Sequence, residues 1–260
     1  MNIKNYLSLI SACFLTVNAI AQHSITGNFQ KLAGQQVSLF GYEGFATMPI
    51  DSCIVSENGF LKLHYSEKVE GMGYLVAKDN KAYSIVLADK DIQLKGETLS
   101  LPESISILAG KENQLFVQYA EEHQRREQAL SAWIYLQKIY QDETLFAKQK
   151  NKLQNIVTEI QRIKQEDNDF LKGIAPENYV SWLLPIKKLL SSVSIIAQFR
   201  TEEIPATITS FRKLDYADER LYKSGLLNDA IESHYWLLEN MGKGLDTVYN
   251  EMNISTDLVL

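Results

Sequence analysis

The apolar period of this chain changes once, near Gly110, and that change divides it into two halves that must fold differently. From Ile25 to about Gly110, short runs rich in β-branched and aromatic residues alternate with period two and are separated by turn residues. Beyond Gly110, apolar residues return at three- and four-residue steps, as on helices that bury one stripe. The expectation is an α+β protein. An N-terminal antiparallel β sandwich or open barrel occupies residues 22–110, and an α-helical bundle occupies residues 111–260.

Strands are expected near 24–30, 36–42, 47–56, 60–66, 73–77, 83–88, 92–95 and 104–108. Asn58-Gly59 carries the chemistry of a tight hairpin turn, so the strands on either side of it are expected to pair antiparallel. Asp89-Lys90-Asp91 makes a second, polar turn. Which face Phe60-Leu61-Lys62-Leu63-His64-Tyr65 buries is left open by its two adjacent apolar residues.

The first helix is expected over 112–141, with Leu115, Tyr119, Leu130, Trp133, Ile134, Gln137 and Tyr140 on one stripe. Leu153, Ile156, Val157, Ile160, Ile163 and Phe170 form a second stripe. The short break at Asp142-Glu143-Thr144 predicts an antiparallel helical hairpin. Pro176 opens a third helix, 177–199, apolar enough to be central, with Pro185 placed to kink it. Further helices are expected over 201–214 and 218–241, the latter ended by Met241-Gly242-Lys243-Gly244. Another helical pattern begins at Leu245. The apolar close Asp257-Leu258-Val259-Leu260 suggests a chain shorter than the architecture it belongs to.

Residues 1–21 read as a secretory signal peptide. Lys4 precedes an apolar run from Tyr6 to Val17, and Ala19-Ile20-Ala21 offers small residues for cleavage before Gln22. The run is too short to span a bilayer, so an exported protein of the periplasm or cell envelope, without a transmembrane helix after cleavage, is expected. Ile10-Ser11-Ala12-Cys13 also fits the pattern before a lipid-modified cysteine. The apolar run continues past it, which favours a soluble protein over a lipoprotein anchored through Cys13.

Cys13 and Cys53 are the two cysteines, and the first leaves with the leader. Cys53 then has no internal disulfide partner, and its strand-like surroundings, with no adjacent cation, favour a buried structural thiol over a reactive one. With 45% hydrophobic and 22% charged residues and a net charge of -6, the chain is globular in composition and not disordered. Lys148-Gln149-Lys150-Asn151-Lys152 and Arg125-Arg126 lie among carboxylates on expected helices and read as solvated faces, so no nucleic-acid partner is expected.

No residue is assigned as catalytic, cofactor-binding or metal-ligating. His23, His64, His123 and His234 are scattered, without the helical spacing that pairs two metal ligands. His123, next to Glu121 and Glu122, is expected to be solvated. No Gly-x-Ser-x-Gly elbow or phosphate loop occurs, and Gly71-Met72-Gly73 lacks the rest of a dinucleotide fingerprint. Phe40, Tyr42 and Phe45, around Gly41 and Gly44, are the candidates for a glycan or peptide groove, weighed against core packing. Trp133, Tyr135, Trp182, Tyr235 and Trp236 are expected to pack the bundle.

Several short motifs carry a resemblance: Ile25-Thr26-Gly27, Val37-Ser38-Leu39, Ile50-Asp51-Ser52 with Val55, Asn58-Gly59-Phe60, Gly71-Met72-Gly73-Tyr74-Leu75 and Ile92-Gln93-Leu94-Lys95-Gly96. Over residues 24–113 the chain resembles the β domain that precedes thioredoxin-like domains in exported bacterial thiol-disulfide oxidoreductases of the TlpA and peroxiredoxin types. There a helical segment follows, opening near a Glu-Asn such as Glu112-Asn113. That family's activity belongs to a Cys-x-x-Cys pair, which this chain lacks, so the activity does not carry over. The resemblance implies a non-catalytic exported accessory module whose partner is an envelope protein or a thioredoxin-like domain. The alternative is an extracytoplasmic glycan- or peptide-binding protein. No cofactor is expected.

Overall fold

The structure, a computed structural model, describes residues 22–256 apart from 79, 80, 143, 145, 147 and 243. The expected leader (1–21) and the apolar close (257–260) lie outside the described residues.

The N-terminal half contains eight strands among the described residues: β1 (Gln22–Phe29), β2 (Gln36–Glu43), β3 (Ala46–Ile54), β4 (Phe60–Ser66), β5 (Met72–Val76), β6 (Ala82–Val86), β7 (Asp91–Gly96) and β8 (Ser106–Ala109). They form two four-stranded sheets, ordered β4-β1-β7-β8 and β3-β2-β5-β6. The period-two residues point between the sheets. Ile25 and Phe29 of β1, Leu61, Leu63 and Tyr65 of β4, and Ile92 and Leu94 of β7 meet Val37, Leu39, Leu75, Tyr83 and Ile85 in one buried core. Phe60 is accordingly exposed, which assigns the face of β4 that its sequence left open.

Two features differ from the expected antiparallel sandwich. β1 pairs in parallel with β7, with Ile25 opposite Ile92. The intervening chain builds the whole of the second sheet, and β4 of the first, before returning, so β7 can re-enter beside β1 in the same direction. The Asn58-Gly59 turn, moreover, does not open a hairpin ladder. β3 pairs with β2 and β4 with β1, so the turn carries the chain from one sheet to the other. Gly59 is required there, with φ of 81° and Gln30 backbone atoms 2.9 Å from where a Cβ would stand.

The C-terminal half contains seven helices among the described residues: α1 (Lys111–Asp142), α2 (Lys150–Lys172), α3 (Tyr179–Phe199), α4 (Ile204–Arg212), α5 (Glu219–Tyr222), α6 (Leu227–Asn240) and α7 (Leu245–Thr256). α1 and α2 form the expected antiparallel pair around Leu130, Ile134, Ile156, Ile160 and Ile163. α3, with Pro185 inside it, is central: its first half packs on α1 and the sandwich, and its second half on α4, α6 and α7. α3 is also the one described helix long and apolar enough to cross a membrane, and here Val180, Leu183 and Leu184 are buried in the bundle.

The single helix expected over 218–241 is two, α5 and α6. Gly225 between them has φ of 69°, and the Ser224 hydroxyl bonds the Leu221 carbonyl and the Leu226 N–H, so local chemistry ends one helix and starts the next.

Candidate functional site

The boundary between the halves is a dense polar joint. Strand alternation turns Met72 of β5 and Val86 of β6 away from the sandwich core and onto Phe116, Tyr119, Val180, Leu183 and Leu184 of the helices. At its edge Asn113 presents its side chain to the β6 backbone: Val86 N–H donates to Oδ1 at 2.8 Å and Nδ2 donates to the Val86 carbonyl at 2.8 Å. Asp89, from the polar turn between β6 and β7, accepts the N–H groups of Glu112 (3.2 Å) and Asn113 (3.3 Å) at the start of α1. Glu112 reaches the opposite way. Its buried carboxylate accepts the N–H groups of Tyr179 (3.0 Å) and Val180 (2.9 Å), the first turn of α3. Burial raises the Glu112 carboxyl above its ordinary pKa, against the lowering effect of those two donors. One Glu-Asn pair thus fastens α1 to the sheet on one side and to α3 on the other.

A second contact seats the loop between α5 and α6 on the same sheet. Met72 N–H donates to the Lys223 carbonyl at 2.8 Å, and Gly44 N–H donates to the Tyr222 carbonyl at 2.9 Å. A Cβ on Gly71 would stand 2.4 Å from the Lys223 oxygen, and one on Gly225 would stand 2.8 Å from the Tyr42 ring. Both glycines are therefore required by close approach.

Deeper in the bundle, polar side chains from α1, α2 and α3 form a buried network. Asp167 of α2 is 4% exposed and lies at the centre. His123 Nδ1 lies 3.0 Å from its Oδ1, Lys188 Nζ 2.6 Å from its Oδ2, and the Tyr119 hydroxyl donates to it at 3.3 Å. Burial pushes the Asp167 carboxyl up. Hydrogen bonds from His123 and Lys188 and their charges outweigh this, and the group titrates at about 2. Beside it, Arg126, Lys188 and Arg200 line a cavity of about 400 Å³, in which Arg200, 3% exposed, donates to Glu127 at 2.9 Å.

His123 Nε2 also lies 3.2 Å from the Ser191 hydroxyl, which completes a Ser-His-Asp chain of contacts. The chain lacks what acyl transfer needs. Ser191 sits in the interior of α3, where neighbouring backbone N–H groups are spent on the helix and cannot serve as oxyanion donors. Its hydroxyl is shared with the Lys188 carbonyl at 3.1 Å, and Lys188 neutralises Asp167. The arrangement braces three helices against one another.

His123 is therefore not solvated as its neighbours suggest; it is 7% exposed, and its partner comes from another helix. Arg126 likewise turns inward, with Nη1 3.6 Å from Asp167, whereas Arg125 and Lys148, Lys150 and Lys152 are exposed as expected. His234 is fully buried between the Tyr216 hydroxyl (3.3 Å) and Glu251 (3.1 Å). His23 and His64 lie apart from these, in β1 and β4. Among the described residues no three His, Cys, Asp or Glu side chains gather as a metal site.

Cys53 is half-buried in β3, opposite Val37, and packs against the sandwich core. Burial raises its thiol pKa, the Asp51 charge adds to this, and a hydrogen bond with the Lys62 backbone opposes it. The candidate aromatic groove does not assemble. Phe40 and Tyr42 both pack on Tyr74, with ring centroids 5.3 and 5.6 Å apart, while Phe45 points to solvent. Tyr42 belongs to the joint through Gly225. Of the aromatics expected to pack the bundle, Trp133 and Trp182 do so, whereas Tyr135, Tyr235 and Trp236 are substantially exposed.

Residues 23–116 match a domain of unknown function, DUF4369. The match spans the sandwich and ends within the first turns of α1, so it includes Asp89, Glu112 and Asn113, the residues that build the joint. No curated protein and no solved structure matches the chain.

Proposed function

We propose that this chain is a non-catalytic exported accessory module, similar to the region that precedes the thioredoxin-like domain in envelope thiol-disulfide oxidoreductases. The observation that carries the reading is the employment of the motif residues. Gly71, Glu112 and Asn113 hold a helical half against the β domain, which is the task of a module whose purpose is to position other elements. The thiol chemistry supports it further, because Cys53 is set in a strand, away from any helix N-terminus, with its pKa raised. The module acts outside the cytoplasm, and its partner is an envelope protein or a thioredoxin-like domain.

Two measurements test this. The purified chain is expected to reduce insulin no faster than a free-thiol blank, and sustained turnover overturns the non-catalytic reading. N-terminal sequencing of the protein recovered from the extracytoplasmic fraction is expected to begin at Gln22; a product that keeps Met1 and stays in the cytoplasm overturns export.

A further inference from the structure

A second cavity of about 400 Å³ lies between α1 and α3, on the other side of His123 from the charged one. Its volume falls in the range of small-molecule sites, roughly 300–1,000 Å³. The walls are mainly apolar, formed by Phe116, Ala120, Leu184 and Ile195. One charged group among them is differently placed from its neighbours. Lys188, Arg126 and Arg200 each meet a carboxylate at 2.5 to 2.9 Å. Lys187 instead lies 5.1 Å from the Phe116 ring centroid, with no hydrogen bond or ion pair to another described residue. Burial lowers its pKa, and the charge of Asp229, which lines a neighbouring pocket with Lys187 without pairing with it, opposes this. The one carboxylate lining the cavity, Glu127, is committed to Arg200. Ser191 lines the same space one helical turn from Lys187, its hydroxyl engaged by the Lys188 carbonyl and by His123.

A half-buried ammonium that makes no contact ion pair beside an apolar cavity is stabilised by an anion that reaches it. We propose that this groove binds a free carboxylic acid with an apolar tail, its carboxylate on Lys187 and its tail against Phe116, Leu184 and Ile195. The inference goes beyond the accessory role proposed above: a module of that kind could lack the ligand, and a ligand-binding chain need not have a thioredoxin-like partner.

The test is calorimetric titration of the intact mature chain with octanoate, octan-1-ol and acetate. Octanoate is expected to bind saturably at one site, about tenfold or more tighter than octan-1-ol, because a charge-assisted hydrogen bond distinguishes them, and acetate is expected not to bind. Lys187→Met is expected to weaken octanoate by about tenfold and leave octan-1-ol unchanged, while Lys187→Arg retains octanoate within a few-fold. Ile195→Trp, which fills the groove without touching the charge, is expected to abolish both. Thermal melts confirm that each variant folds. Equal affinity for octanoate and octan-1-ol, no octanoate binding, or unchanged octanoate binding by a folded Lys187→Met protein overturns the proposal.

Discussion

Asn113 and Val86 form a closed pair of hydrogen bonds, side-chain amide to both backbone groups of one β6 residue, each 2.8 Å long and shielded from solvent. The amide stands in for the next strand of the sheet. Helix α1 is in this way registered against β6 as a strand would be.

Replacing Asn113 with Ala leaves a buried N–H and a buried carbonyl unsatisfied. Each such group costs about 1–3 kcal/mol, so the expected loss is about 2–6 kcal/mol in urea unfolding. Because the joint couples the halves, the variant is also expected to separate the single transition into two, read by far-UV circular dichroism and by tryptophan fluorescence. The three tryptophans, Trp133, Trp182 and Trp236, all lie in the helical half.

The glycines of the joint give a paired comparison. Gly225→Ala meets both an unfavourable φ of 69° and the Tyr42 ring at 2.8 Å, whereas Gly34→Ala has a similar φ of 74° and open space. Gly34→Ala is expected to cost about 1 kcal/mol, the left-handed penalty alone. Gly225→Ala is expected to cost about 2–4 kcal/mol, with overpacking added. Equal losses in denaturant midpoint would mean that Tyr42 does not constrain the loop.

Asp167 supports a directional pH effect. Its folded pKa is about 2, below the ordinary value of 3.8, so its contribution is complete above about pH 4 and is lost as pH falls towards 2. Asp167→Ala leaves Lys188 without its partner and is expected to cost about 3–5 kcal/mol at neutral pH. The acid limb of a stability-versus-pH curve should flatten between pH 4 and 2 in the same variant.

His234 titrates in a different window. Burial lowers its pKa below 6.5, against the hydrogen bond and charge of Glu251, so the folded state favours the neutral ring. Stability attributable to it is complete above about pH 6.5 and declines as the pH falls through the folded value. His234→Gln is expected to lower the melting temperature at pH 8 yet shrink its drop between pH 6.5 and 5. An unaltered drop would assign that limb to other groups.

Cys53 should alkylate slowly. Its raised pKa reduces the thiolate fraction at pH 7.5, so iodoacetamide is expected to modify it several-fold more slowly than a model thiol in the native state, and at the model rate in urea. Native reactivity above the model thiol would contradict the environment described for β3.

The elements were largely legible and their partners were not. Each expected strand lies within a few residues of its observed place, because alternation such as Leu61, Leu63, Tyr65 records burial directly. Nothing local distinguishes a hairpin from a crossing between sheets, so Asn58-Gly59 announced a turn without saying which strand would pair beyond it. The β1–β7 pairing joins residues more than sixty positions apart, and no short-range pattern encodes that choice. Gly225 was visible as a helix breaker between Ser224 and Leu226, yet the apolar rhythm on both sides masked it. The buried network left one faint trace. Asp167 falls on the stripe of Ile156, Ile160 and Ile163, and His123 on that of Phe116 and Tyr119, so a polar side chain stands where the helical period calls for an apolar one.

The place of β1 inside its sheet, between β4 and β7, bears on the order of assembly. Both of its edges are completed by segments synthesised later, the second not before Gly96. A chain that emerges amino end first therefore holds a ribbon whose one edge can pair once β4 is available, while the other stays open until β7 follows. Closure of that ribbon is a long-range event and so a slow one, and until then the young polypeptide remains open to whatever shepherds it.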